Sequence, residues 1–148
     1  MISIVKVEAV PTLIHWRTEV IRSAFGIEPD KRLLVANRRY YREHIADGSH
    51  FAVIARYMGE DCGCGAVCFY SELPSPDNPS GLCAYIMNIY VRQQFRNKGI
   101  GHAIVRRLIR ECRERACDKI FLESTPMAKS LYESIGFAAM PDIMTLKK

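Results

Sequence analysis

Apolar and polar residues alternate from Ile2 to Val7, the period-two pattern of a strand. From Pro11 the period changes. Leu13, Ile14, Trp16, Val20, Ile21 and Phe25 recur at helical spacing, with Pro11 suited to a first turn and Gly26 to a stop. A second helix is predicted from Asp30 to Asp47. Asp30 can cap it, Leu33, Leu34, Tyr40, Tyr41 and Ile45 give it an apolar side, and Gly48 ends it. His50 to Tyr57 and Cys62 to Tyr70 read as the arms of a hairpin around Met58-Gly59-Glu60-Asp61. Gly63 and Gly65 weaken the start of the second arm and suggest a bulge. Residues 72–81, rich in proline, form a loop that leads into the next strand.

The stretch from Tyr85 to Gly101 organises the rest of the chain. Tyr85 to Val91 carries no charge and is apolar or aromatic on both faces, as expected of a central strand covered on both sides. A helix begins near Gly99. Ile100, Ala103, Ile104, Leu108, Ile109 and Cys112 form its apolar face, and Arg106, Arg107, Arg110 and Arg113 lie mostly opposite. Between strand and helix stands Arg96-Asn97-Lys98-Gly99-Ile100-Gly101. Glycine there lets the backbone take unusual dihedrals and a ligand approach closely. The first amides of a helix lack intrahelical partners, and with the helix dipole they make an anion site. Arg96 and Lys98 add positive charge, so the pattern fits a phosphate or pyrophosphate. The glycines also fit ordinary punctuation at a basic helix entry. Neither the G-x-x-x-x-G-K-[ST] loop nor a G-x-G-x-x-G after an N-terminal strand is present, which argues against a nucleoside-triphosphate loop and a dinucleotide fold. Asp118 to Glu123 reads as a short strand. Thr125-Pro126 opens a last helix that carries Ala128, Leu131, Tyr132 and Ile135 up to Gly136. Phe137 to Leu146 reads as a final strand, or as two extended pieces broken by Pro141.

Composition narrows the picture. The 148 residues fit one domain, 1–148, and 49% apolar content suits a globular core. No apolar run approaches the roughly 18 residues of a membrane span, and Met1 to Lys6 does not begin a secretion signal, so a cytoplasmic protein is expected. The six cysteines are then expected to be reduced and mostly buried. Cys62-Gly63-Cys64 lacks a second ligand pair and reads as two small residues on one strand face, and no metal is expected. His15, His44, His50 and His102 are scattered and read as structural. The net charge of +5 is spread over several helices, so nucleic acid is not an expected partner.

Arg96-x-x-Gly99-x-Gly101 after an apolar strand resembles the pyrophosphate signature of the GNAT superfamily of acyl-CoA-dependent N-acetyltransferases. The stretch from Leu122 to Phe137, with its Leu131-Tyr132 and Gly136-Phe137 pairs, resembles that family's closing segment. The resemblance implies an α/β (α+β) fold, a mixed, mainly antiparallel sheet with helices on both faces. It implies transfer of an acetyl group from acetyl-CoA to a primary amine of a small-molecule or peptide acceptor. The pantetheine arm would pair with Ile89, Tyr90 and Val91, the Ile89 amide would polarise the thioester carbonyl, and the pyrophosphate would sit on Arg96, Asn97, Lys98, Gly99, Ile100, Gly101 and His102. Tyr132 falls on the family's tyrosine position, that of an acid for the leaving thiolate, and its alternative is a buried aromatic. The base is open. Many relatives carry a glutamate at the central strand, where this chain has Tyr85 and Asn88. Glu123 and Glu72 are candidates by sequence order, and Tyr85 could instead hold a water. The segment after Leu122 is shorter than in many relatives. The first two helices often shape the acceptor pocket. Here they carry Trp16, Phe25, Arg38, Arg39, Tyr40 and Tyr41, whose aromatics read equally as core, and the loop at 72–81 is expected near the acceptor. A non-catalytic acetyl-CoA-binding sensor is the alternative function. Homodimers are frequent in the superfamily, and the resemblance admits one.

Overall fold

The computed structural model describes residues 1–148. Five strands and four α-helices are arranged in the order β1 (Ile2–Lys6), α1 (Val10–Phe25), α2 (Lys31–Ala46), β2 (His50–Tyr57), β3 (Glu60–Ser71), β4 (Leu82–Val91), α3 (Ile100–Glu114), β5 (Lys119–Leu122) and α4 (Lys129–Ile135). The strands lie in sequence order in one sheet, antiparallel except for the β4–β5 pair. It is the expected mixed, mainly antiparallel α/β sandwich.

The two faces of the sheet are built from alternate residues. Phe51, Val53, Val67, Ala84 and Ile86 point to one side and meet Ile100, Ile104, Leu108 and Cys112 of α3. Ala52, Ile54, Cys64 and Ala66 point to the other side and meet Leu13, Trp16 and Val20 of α1 and Tyr41 of α2. Helix ends obey the local chemistry. Gly26, in the left-handed region, donates to Arg22 O at 3.0 Å and stops α1. The Asp30 carboxylate accepts from the Leu33 amide at 2.8 Å and starts α2.

β3 lies against α3 so closely that residue 65 has no room for a side chain. A Cβ there would stand 2.5 Å from Ile104 Cγ2 and 2.8 Å from Ile89 Cδ1. Glycine at this strand position is the condition for α3 to pack against the sheet.

Several expectations change. The apolar strand β4 starts at Leu82, and it is second from the edge, while β3 is central. Its apolar character reflects cover by helices on both faces. Cys62 and Cys64 do not share a face. The β2–β3 register jumps from Ala55↔Gly63 to Arg56↔Asp61, which makes Cys62 the extra residue of a bulge. Cys62 therefore packs on the α3 side and Cys64 on the α1 side. All six cysteines are free thiols. Thr125 caps a short 3-10 turn, Pro126–Ala128, which then continues into α4. Phe137 to Leu146 pairs with no strand. Pro141 has no amide to donate, Asp142 turns the chain at φ 72°, and Ile143, Met144 and Leu146 stay exposed. No helix is long and apolar enough to cross a membrane.

Candidate active site

Two features of β4 create the site. First, β5 pairs with β4 only along Cys83 to Ile86. Past Ile86 no strand pairs with β4 on that side, and this strand-free edge along residues 87–91 forms a slot in the sheet. Second, the register with β3 passes from Ala66↔Met87 to Cys64↔Tyr90. Asn88 and Ile89 fall in the gap, two β4 residues against the single β3 residue Gly65. Asn88 adopts φ 59°, a left-handed conformation that asparagine tolerates better than most side chains. The bulge puts Met87 and the Asn88 side chain on the α1/α2 face and packs Ile89 on the α3 face.

The end of β4 is tied down on both sides. The Tyr90 ring meets Trp16 at 6.5 Å. Arg92 donates to both Glu19 carboxylate oxygens at 2.8 and 3.0 Å and to Asp61 O at 3.0 Å, with its guanidinium 4.5 Å from the Trp16 ring. The Arg92 hydrogen bond holds the Glu19 carboxyl below the usual range against the opposing effect of burial. Arg96 folds back to donate to Val91 O at 3.0 Å.

The chain then enters α3 through exposed Arg96, Asn97 and Lys98 and through Gly99. Asn97 and Gly99 have φ 64° and 80°, so the turn alternates left-handed and ordinary residues. No side chain caps α3, and its first backbone bond runs from the Ala103 amide to Gly99 O. The amides before Ala103 carry the positive end of the helix dipole outward. A Cβ built on Gly99 would meet nothing within 4 Å, so the space beside Gly99 is open. His102 Nδ1 accepts from Arg106 Nε at 3.0 Å, which adds a third cation, after Arg96 and Lys98, beside the helix start. Gly101 borders α4, where a Cβ would stand 3.3 Å from Leu131 Cδ2.

Tyr132, next to Leu131, is 7% exposed, and its ring lies 6.0 Å from Phe137, edge to face. Burial alone raises its hydroxyl pKa, with no hydrogen bond or charge from the protein contributing.

On the α1/α2 face a polar row crosses the sheet in register: His50, Cys68, Tyr85, then Phe121. The Tyr40 hydroxyl of α2 lies 2.8 Å from His50 Nδ1 and 3.0 Å from Cys68 Sγ. Burial lowers His50 to about 4, and its Nε2 is buried without a partner. Burial also pushes Tyr41 up to about 12. Tyr85 stacks on Phe121 at 5.1 Å, and its hydroxyl pKa is raised by burial and then by the neighbouring Glu123 carboxylate.

Sequence order put Glu72 and Glu123 on equal footing. The structure separates them. Glu72 accepts both bonds from Lys119 Nζ, at 3.0 and 3.1 Å, and the Lys119 hydrogen bond lowers its pKa. Glu123 stays exposed beside Tyr85. The loop at 72–81 closes across Glu72 N and Gly81 O, at the start of β4. At about 3.3 Å per residue it opens roughly 20 Å along the strand from Asn88, away from the bulge. Of the residues expected to shape a pocket, Trp16 and Tyr41 are core and Tyr40 is half-buried, while Phe25, Arg38 and Arg39 face outward.

Arg17 was not singled out by pattern. It reaches from α1 to donate through Nη1 to Asn88 Oδ1 at 2.8 Å. A polar residue inside the otherwise apolar run of β4 was the available signal.

Comparisons with known proteins agree with this architecture. Over 57 residues the chain is 32% identical to glucosamine 6-phosphate N-acetyltransferase 1 of Oryza sativa subsp. japonica, a match covering 38% of this chain and 34% of that protein. The match thus spans about a third of the length of this curated relative. A predicted acetyltransferase of Clostridium acetobutylicum, crystallised with acetyl-CoA, superposes with a TM-score of 0.88 at 25% identity, over 99% of this chain and 96% of that one. Glucosamine-6-phosphate N-acetyltransferase of Arabidopsis thaliana shares the fold, with a TM-score of 0.77 at 19% identity over 99% and 98% of the two chains. The sequence pattern of the acetyltransferase (GNAT) family matches residues 12–137. The chain belongs to the GNAT acetyltransferase family.

Proposed function

We propose that this protein is an acetyl-CoA-dependent N-acetyltransferase that acetylates a primary amine by direct attack of the amine on the thioester. What carries the reading is a series: the slot beside residues 87–91 of β4 leads to the uncapped, glycine-opened start of α3. A slot bordered by strand backbone suits an amide-bearing arm, and the helix start suits the pyrophosphate at its far end. The Clostridium relative, crystallised with acetyl-CoA, supports the same ligand.

Acetyl-CoA supplies the acetyl group as a thioester. Ile89, Tyr90 and Val91 offer backbone to its pantetheine arm. The amides from Gly99 to His102, with Arg96, Asn97 and Lys98, hold the pyrophosphate. The Ile89 amide, at the β4 bulge, is assigned to the thioester carbonyl oxygen, where it stabilises developing charge. In the reaction the carbon–nitrogen bond forms and the carbon–sulfur bond breaks. Tyr132 gives its proton to the departing sulfur and regains one from solvent; a hydroxyl raised by burial is fully protonated at neutral pH. The amine starts as an ammonium of pKa about 10.4 and must lose a proton. Glu123, through a water at Tyr85, takes it, since Glu72 is committed to Lys119; the second nitrogen proton leaves to solvent as the amide forms, balancing the one that Tyr132 gives to sulfur and regains.

The test is release of free thiol from acetyl-CoA in the presence of an amine panel, by wild type and by Tyr132→Phe. Turnover that falls about 100-fold or more in the variant, with the acetyl-CoA Kd kept within about 2-fold, is expected of an acid. Unchanged turnover removes Tyr132 from the chemistry, and thiol release that no amine accelerates removes the transferase reading.

A further inference from the structure

We propose that Arg17 recognises the acceptor, and that the amine acetylated carries an anionic group, a carboxylate or phosphate, a few bonds from its nitrogen. The inference rests on the acetyl-transfer reading of the same site and names its substrate class.

Arg17 is half-buried between α1 and the sheet, and one bond, to Asn88 Oδ1, is all that the protein gives it. A guanidinium has five donors in a rigid fork, so most of its hydrogen-bonding capacity is unused. It has no salt bridge. The nearest acid on its own helix, Glu19, is held by both oxygens to Arg92. The groups that feel Arg17 are Tyr41, His50, Cys64, Cys68 and Tyr85. Each is neutral at pH 7, so among the side chains packed around it on this face of the sheet Arg17 meets no anion; the nearest carboxylate on that side, Glu123, is exposed beside Tyr85. None of its nitrogens is both buried and without a partner, so the unused donors face solvent, where an anionic ligand can reach them.

Its position sets the geometry of that ligand. Asn88, which anchors the guanidinium, precedes Ile89 at the bulge. The anion site is therefore one residue from the amide assigned to the reacting carbonyl. An acceptor bound there places its anion on Arg17 and its nitrogen a few bonds away, at the mouth of the slot. The polar row reinforces this. On the same face of the sheet the buried His50 Nε2 is a second polar atom that the protein leaves without a partner. Arginine suits this task because its planar fork matches both oxygens of a carboxylate or phosphate.

The experiment uses the full chain and matched amine pairs that differ in the anion. Phenylalanine against phenylalanine amide tests a carboxylate, and glucosamine 6-phosphate against glucosamine tests a phosphate. Calorimetry on the coenzyme A-bound protein and acetylation kinetics are read for wild type, Arg17→Gln and Arg17→Lys. The anionic member of at least one pair is expected to bind about 10- to 100-fold more tightly. Which pair responds identifies the anion. Arg17→Gln removes that preference by raising KM far more than it lowers kcat, Arg17→Lys restores part of it, and the acetyl-CoA Kd stays unchanged in both. Equal affinities within both pairs, or a preference that survives Arg17→Gln, overturns the proposal. So does binding of neither anionic member to a protein that binds coenzyme A. Failure to bind coenzyme A at all is the separate result that removes the transferase reading itself.

Discussion

Replacing Gly99 by aspartate separates a ligand site from a helix start, because its effects on folding and on binding are predicted to differ in size. Gly99 has φ 80°, and a Cβ there meets no protein atom within 4 Å, so the variant suffers backbone strain without a clash. That strain is about 1–2 kcal/mol for most residues and less for aspartate, which tolerates the left-handed region. A carboxylate at the start of α3 also gains about 0.3–1 kcal/mol from the helix dipole. The net loss of stability is about 1 kcal/mol or less, or a fall in Tm of roughly 2–4 °C for a chain of this size. Ligand binding responds differently. A carboxylate about 5 Å from a phosphate charge repels it by about 3 kcal/mol at an effective dielectric of 20 and about 1 kcal/mol in bulk water. The entry is exposed, so about 1–2 kcal/mol per phosphate charge is the working value. For the two charges of a pyrophosphate this becomes about 2–4 kcal/mol, a loss of roughly 30- to 1000-fold in affinity. The assay is titration of acetyl-CoA into both proteins at low and moderate salt, with melting curves in parallel. Salt is expected to recover part of the loss. A variant that melts near wild type and still binds acetyl-CoA within about 3-fold would refute the placement of the pyrophosphate.

Two further predictions concern the scaffold. Gly65→Ala places a methyl 2.5 Å from Ile104 Cγ2 and 3.1 Å from Leu108 Cδ1, and it is expected to cost about 1–3 kcal/mol by overpacking; an unchanged Tm would contradict the packing described. His50, lowered from 6.5 to about 4 by burial and then by His44 and Arg17, binds fewer protons folded than unfolded between those values. Stability should therefore fall as pH drops from about 6.5 to 4, by about 3 kcal/mol from this residue, and level off below. Urea melts of wild type and His50→Gln should show that slope flattened in the variant, and identical slopes would count against a buried neutral imidazole.

Much of the fold could be read in the chain because its signals are local. Asp30 and Gly26 mark helix ends by side-chain or backbone chemistry within a few residues. Ile100, Ile104, Leu108 and Cys112 repeat at the helical period, and all are buried as expected. The glycine-opened helix start lies in one contiguous stretch. What stayed hidden depends on register. The faces of Cys62 and Cys64 result from a bulge set by pairing with β2, which period-two reasoning cannot foresee. The slot beside β4 exists because β5 pairs over only Cys83 to Ile86, a property of two strands separated by a whole helix. Phe137 to Leu146 carries apolar residues like a strand, but Pro141 and the turn at Asp142 interrupt it and it pairs with no strand. The pairing of Arg17 with Asn88 joins residues 71 positions apart. The segment after Leu122 differs in degree. Its Thr125-Pro126 start was legible, and only the 3-10 geometry of the first turn was not.

The central claim is that the β4 slot and the α3 start bind acetyl-CoA. Calorimetric titration of the full chain with acetyl-CoA, and with dephospho-coenzyme A and ATP as comparators, tests it directly. Saturable binding is predicted for acetyl-CoA, retained in large part by dephospho-coenzyme A, which keeps the arm and the pyrophosphate, and much weaker for ATP, which lacks the arm. Absence of acetyl-CoA binding in a protein with a cooperative melt, or equal binding of ATP, would contradict the claim and leave the Arg96–Gly101 turn as the entry of an ordinary helix.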